Sequence, residues 1–110
     1  MNVEQLAAKT GWTLYASDDA KSRDVHGAFV GDLLSWVMGN SCPDQVWLTV
    51  QAHLNVIAVA CLRDFSCIVF VQGVQPPQET LDKAMEEDLA ILTTNLSAYE
   101  ACCVLHDLGV

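Results

Sequence analysis

The sequence predicts an α/β domain built on a mainly parallel β-sheet flanked by helices. Three observations carry that reading. Residues 46–50, 68–71 and 90–93 are short β-type runs, and segments of helix length separate them. Parallel neighbours cannot be joined by a tight turn, so this spacing fits consecutive β-α-β crossovers. A chain of 110 residues with 52% hydrophobic composition fits one domain, residues 1–110, able to bury a core without disulfides or metal.

The elements follow in order. Val3, Leu6 and Ala7 have helical spacing, and Gly11 stands where a left-handed cap ends a helix. Residues 12–16 read as a strand and residues 17–24, with Ser17-Asp18-Asp19, as a loop. A second strand spans residues 25–30, and Asp32 is the expected N-cap of a short helix reaching Met38. The apolar run of residues 56–62 fits helix or strand by periodicity alone. Its place in the sixteen-residue stretch 51–66 between parallel strands favours a buried crossover helix capped by Asn55. Pro76-Pro77 opens the next helix, with Leu81, Ala84, Met85 and Leu89 inward and Glu79 paired with Lys83. Glu86-Glu87-Asp88 reads as solvent face. Ser97-Ala98-Tyr99-Glu100 is a capping box, and Ala98, Ala101, Cys102, Leu105 and Leu108 form the buried face of the last helix, which Gly109 ends.

Charge and composition exclude several function classes. Fourteen acidic residues against five basic ones give a formal net charge of -9, which repels phosphate backbones and anionic membrane surfaces. Lys9, Lys21, Arg23, Arg63 and Lys83 are dispersed, so neither a nucleic acid nor a membrane is expected as partner. Residues 1–9 are too short and polar for a signal peptide, and no run approaches a membrane span, which makes the cytoplasm the expected location. Cys42, Cys61, Cys67, Cys102 and Cys103 lack the Cys-x-x-Cys spacing of metal sites and read as reduced, mostly buried thiols.

Several segments resemble the DRTGG domain family. They are Gly31-Asp32-Leu33-Leu34-Ser35, the stretch from Thr49-Val50-Gln51-Ala52-His53 through Leu54-Asn55-Val56-Ile57-Ala58-Val59-Ala60, Lys83-Ala84-Met85-Glu86-Glu87, Ile91-Leu92-Thr93-Thr94 and Ser97-Ala98-Tyr99-Glu100. The similarity runs from about residue 25 to residue 110. It implies a fold like the N-terminal domain of HPr kinase/phosphorylase and a role in regulation and dimerisation more than catalysis, since family members occur alone or beside CBS, phosphoesterase or phosphotransacetylase modules. The subgroup it is similar to comprises small stand-alone proteins, some associated with iron-only hydrogenase systems. Where many relatives carry Asp-Arg-Ser/Thr-Asp before the crossover helix, this chain has His53-Leu54-Asn55.

In open parallel sheets, ligands bind beyond the carboxyl ends of the strands. Thr49, Gln51, His53 and Asn55 follow one strand, Gln72 and Gly73 the next, and Thr94, Asn95 and Ser97 the third, so these nine form the expected ligand edge. His53 is its one group titrating near neutrality. His26 and His106 read as structural or solvated, Ser35 and Ser97 lack a nucleophile-elbow context, and Asp18 with Asp19 are turn formers. Trp36 lies off the stripe of Leu33, Leu34 and Val37; the core and a homodimer interface both remain open to it, with the core favoured. The leading expectation is a non-enzymatic regulatory or interaction module, homodimeric, that senses a small ligand at the strand ends. The alternatives are a small enzyme using His53 as acid and base, or an accessory protein of an iron-sulfur or hydrogenase system.

Overall fold

A strand covered on both faces needs apolar side chains at successive positions, and three runs of this chain supply them. The computed structural model describes residues 1–110. In chain order its elements are α1 (Val3–Thr10), β1 (Thr13–Tyr15), α2 (Asp18–Lys21), β2 (Ala28–Val30), α3 (Leu34–Asn40), β3 (Val46–Thr49), α4 (Asn55–Leu62), β4 (Cys67–Phe70), α5 (Gln78–Glu86), β5 (Ala90–Thr93) and α6 (Ala98–Asp107). The five strands form one sheet in the order β1-β5-β4-β3-β2. β2 to β5 run parallel, with Val46 opposite Cys67 and Cys67 opposite Ala90, and β1 pairs antiparallel with β5 through Thr13 and Thr93. The mainly parallel α/β sheet expected from the sequence is the one found.

Every residue of β3, β4 and β5 is buried. Alternation sends Val46, Leu48, Val69 and Leu92 to one face, where they meet Val3 and Leu6 of α1, Ala20 of α2 and Ala101 and Leu105 of α6. Trp47, Ile68, Phe70 and Ile91 point the other way, onto Val37 of α3, Val56, Ile57 and Ala60 of α4 and Ala84 of α5. The layout follows from the handedness of crossovers. Successive right-handed connections that step across the sheet in one direction, from β2 to β5, must lay α3, α4 and α5 on the same face. The opposite face is then left to the elements at the two ends of the chain. Trp47 anchors the crossover side. Its ring stacks on Phe65 with centroids 5.1 Å apart, and its indole N–H donates to the Gly31 carbonyl at 2.9 Å.

Local chemistry explains where the elements differ from expectation. The segment expected as a loop at residues 17–24 contains α2, because the Ser17 hydroxyl accepts from the Ala20 amide and Ala20 finds a buried site. The strand expected over residues 25–30 is shortened to β2 by Gly27, which takes a φ of +81°. Asp32 does not cap α3. Leu33 is the N-cap residue, and the Asp32 carboxylate instead accepts from the Thr49 hydroxyl at 2.7 Å and the Val50 amide at 3.0 Å. Nor does Asn55 cap α4: Leu54 is the cap residue, and the Asn55 amide donates to His53 Nδ1. Lys83 pairs with Glu87 at 3.0 Å and Glu86 at 3.6 Å rather than with Glu79, and Met85 is exposed rather than inward. The favoured core place for Trp36 is also overturned, since 61% of it is exposed.

The two helix boundaries read most directly from sequence are built as expected. Gly11 takes φ +73°, and its amide donates to the Ala7 carbonyl, closing α1 in a left-handed cap. At α6 the Ser97 hydroxyl accepts from the Glu100 amide while the Glu100 carboxylate accepts from the Ser97 amide. That backbone amide holds the Glu100 carboxyl below its ordinary value.

Two expectations follow. Trp47→Ala lowers stability by about 3–5 kcal/mol in urea titrations, whereas Tyr99→Ala, at an exposed site, shifts it by less than about 0.5 kcal/mol. A carboxyl lowered in the folded state stabilises above its unfolded pKa, and that contribution is lost as pH falls through the lower folded value. The gap in melting temperature between wild type and Glu100→Gln is therefore full at neutral pH and closes as the pH drops below about 4.

Candidate functional site at the carboxyl ends of the strands

The strand-end edge is held by a series of side-chain and backbone ties. Asp32 binds the turn after β2 to the end of β3, and the Thr49 hydroxyl that donates to it also accepts from the Gln51 amide at 3.1 Å. The buried Thr80 of α5 donates from its hydroxyl to the Ala52 carbonyl, locking α5 against the loop that leads to α4. After β4 the chain turns through Gln72 and Gly73, both in the left-handed region at φ +61° and +73°. Their amides donate to the carbonyls of Leu96 at 2.8 Å and Thr94 at 3.0 Å. A side chain at Gly73 would bring its Cβ to 3.2 Å from Asn95 Oδ1, so glycine keeps the Asn95 carboxamide in place as well as permitting the turn.

These ties determine which expected site residues have free chemistry. Thr49, Gln72, Gly73 and Ser97 spend hydroxyl or amide groups on structure. His53 is exposed, and its Nδ1 is occupied by the Asn55 amide, which leaves the proton on Nε2 in the neutral ring. Gln51 and Asn55 are exposed beside it.

Thr94 and Asn95 take part in something different. They line an open cleft of about 460 Å³ together with Thr10, Gly11, Trp12, Thr13, Gln75, Thr93 and Leu96. The cleft stands beyond the carboxyl end of β5, where the chain changes faces: α5 enters β5 from one side of the sheet and α6 leaves it on the other. Diverging connections of this kind open a crevice at a strand end. The turn from α1 into β1 forms the opposite wall, because β1 lies antiparallel beside β5. Of the expected edge, then, only the β5 portion opens into a cavity, and the residues from 49 to 55 lie outside it.

Thr10, Trp12, Thr13, Gln75 and Thr93 were not among the candidates. Their participation depends on which strand pairs with β5 and in which direction, and a three-residue edge strand carries no register signal of its own. The left-handed cap at Gly11 was the available clue, since it aims Trp12 and Thr13 at the sheet.

The thiols differ from expectation too. Cys67 alone is buried; Cys42, Cys61 and Cys103 are exposed and Cys102 is half-buried. Burial pushes the Cys67 thiol up to about 12 and raises those of Cys61 and Cys102, with the adjacent Cys103 adding to the latter. Raised thiols carry little thiolate near neutrality and make poor nucleophiles. No group of three or more His, Cys, Asp or Glu is placed to hold a metal ion, and no helix is long and apolar enough to cross a membrane.

No family model and no curated protein matches the chain. Among solved structures it is similar to the CBS and DRTGG domains of the regulatory region of Clostridium perfringens pyrophosphatase, a structure complexed with the activator diadenosine tetraphosphate. The TM-score is 0.73 at 10% identity, over 94% of this chain and 45% of that one, so the chain spans less than half of the structure it matches. At that identity the likeness is one of architecture: the fold is DRTGG-like.

Proposed function

We propose that this protein is a non-enzymatic regulatory module of the DRTGG family, with residues 1–110 as its single domain. It senses a small ligand in the cleft beyond β5, and it works as a homodimer in the cytoplasm. The observation that carries the reading is the cleft itself, a cavity at the one strand end where the flanking connections diverge. The neighbouring regulatory region, crystallised with a nucleotide activator, supports a ligand-sensing role for this fold. Of the strand-end residues, Thr94 and Asn95 are assigned to the ligand. Thr49, Gln51, His53, Asn55, Gln72, Gly73 and Ser97 frame the same edge and hold its loops. The open position of His53, with its Nδ1 on a backbone amide and no carboxylate or thiol bonded to it, favours a module over acid-base catalysis.

Support for self-association comes from α3 and the strand before it. Leu33 is 66% exposed and Trp36 61%, and Val30 on the edge strand β2 is half-exposed. Large apolar and aromatic side chains left in water beside a free sheet edge are typical of interface residues.

A thermal-shift screen of metabolites against the full chain tests the ligand site. A binder present at about 100 times its Kd adds about 2.7 kcal/mol to stability. The shift is expected to persist in His53→Ala and to disappear in Asn95→Leu, which replaces the carboxamide at the cleft wall with an apolar side chain of similar size; persistence in Asn95→Leu would move the site elsewhere. Light scattering at micromolar concentration tests assembly. The expected result is a dimer mass for wild type and a monomer mass for Trp36→Ser, and a monomeric wild type would remove the dimer from the proposal.

A further inference from the structure

We infer that the cleft beyond β5 is built for an uncharged nucleoside, its base against Trp12 and the edge of that base on the carboxamides of Gln75 and Asn95. The inference rests on the reading of this cleft as the ligand site and adds the chemistry of what fills it.

The lining has no acid and no base: it consists of Thr10, Gly11, Trp12, Thr13, Gln75, Thr93, Thr94, Asn95 and Leu96. The basic side chains are committed elsewhere, Arg23 to Asp44 and Asp64, Lys21 to Asp18, Lys83 to Glu86 and Glu87, and Arg63 to Ser41. Lys9 is the one basic side chain with neither an ion pair nor a side-chain hydrogen bond in the chain, and it sits one residue outside the lining. Against a formal net charge of -9, a phosphate placed here would be repelled and would find no guanidinium to pair with.

What the cleft does offer is hydrogen bonding and the half-buried indole of Trp12, which packs on the core beneath α1 and α6 and lines the cleft at its edge. The Gln75 and Asn95 carboxamides and the Thr13 hydroxyl bond to nothing in the chain. Neither does the Thr93 hydroxyl, although Thr93 is only 7% exposed. No side-chain nitrogen or oxygen shut off from solvent lacks a partner, so the Thr93 hydroxyl opens onto the cleft it lines. A hydroxyl that no group of the chain engages is free to exchange its water for a ligand atom. A carboxamide presents a donor and an acceptor in one plane, the pattern that pairs with a nucleobase edge, and an indole stacks on any base. Threonine hydroxyls suit the ribose. The volume of about 460 Å³ falls within the roughly 300–1,000 Å³ of small-molecule sites.

The test titrates adenosine, guanosine, cytidine and uridine into the full chain by calorimetry, each beside its monophosphate and with free ribose as a control, while tryptophan fluorescence is recorded. One nucleoside is expected to bind more tightly than its monophosphate and to quench fluorescence in wild type but not in Trp12→Phe. Gln75→Ala and Asn95→Ala, both at exposed positions, each weaken it about tenfold, and Lys9→Ala leaves it unchanged. A monophosphate that binds more tightly than its nucleoside, or ribose that binds as well, overturns the inference. So does a screening ligand of another class whose binding needs Asn95, which would leave the regulatory reading standing. If no compound of any class binds, both fall.

Discussion

Burial of β3, β4 and β5 on both faces is the constraint from which the rest of this structure follows. A sheet apolar on two sides is stable in water only if helices cover both. Three crossovers of one hand place α3, α4 and α5 together, and they exhaust the middle of the chain on a single face. The second face has to be covered by α1, α2 and α6, drawn from the chain's two ends. The polypeptide must therefore pass from one face to the other, and it does so on leaving β5. The cleft is thus a product of core coverage rather than of any motif.

The same edge shows how backbone polarity is handled beside so apolar a sheet. Loops that leave buried strands bring amides and carbonyls with them, and each must find a partner. Asp32, Thr49 and Thr80 all provide side-chain partners for the loop after β3, at Val50, Gln51 and Ala52, and the turn at Gln72 and Gly73 uses the loop after β5. At the opposite end of the strands Arg23 reaches Asp44 and Asp64, two residues held at positive φ, and also the Asp64 carbonyl. Arg63 binds Ser41 through both the hydroxyl and the carbonyl. Long-range ties of this kind fasten loops whose own sequences have little intrinsic preference.

Which parts of this were legible in the sequence depended on how far apart the partners were. The β-branched runs around Val46, Ile68 and Ala90, the left-handed cap at Gly11 and the box of Ser97 with Glu100 all act within a few residues, and each is found in place. Asp32 and Asn55 had the composition of helix caps. Asp32 instead meets Thr49, seventeen residues on, and His53 supplies the acceptor expected of Asn55. Trp36 and Met85 show the same limit on helices, since a short amphipathic pattern does not say how wide a stripe its neighbours will cover. The site followed suit. Thr94 and Asn95 could be named because they follow β5 directly, whereas Trp12 and Gln75 reach the cleft only through the completed sheet.

The antiparallel pairing of β1 with β5 has a kinetic side. It joins residues 13–15 to residues 91–93, so the loop it closes contains most of the chain, while the parallel ladder can assemble from nearer neighbours. β1 is also a three-residue edge strand with no strand beyond it. Its departure leaves β2 to β5 paired, which makes it a natural unit of local opening, and one wall of the cleft departs with it. The cleft is lined from both sides of that seam, by residues 10–13 on one and 93–96 on the other, so release of the chain's first strand and loss of the cleft are one event.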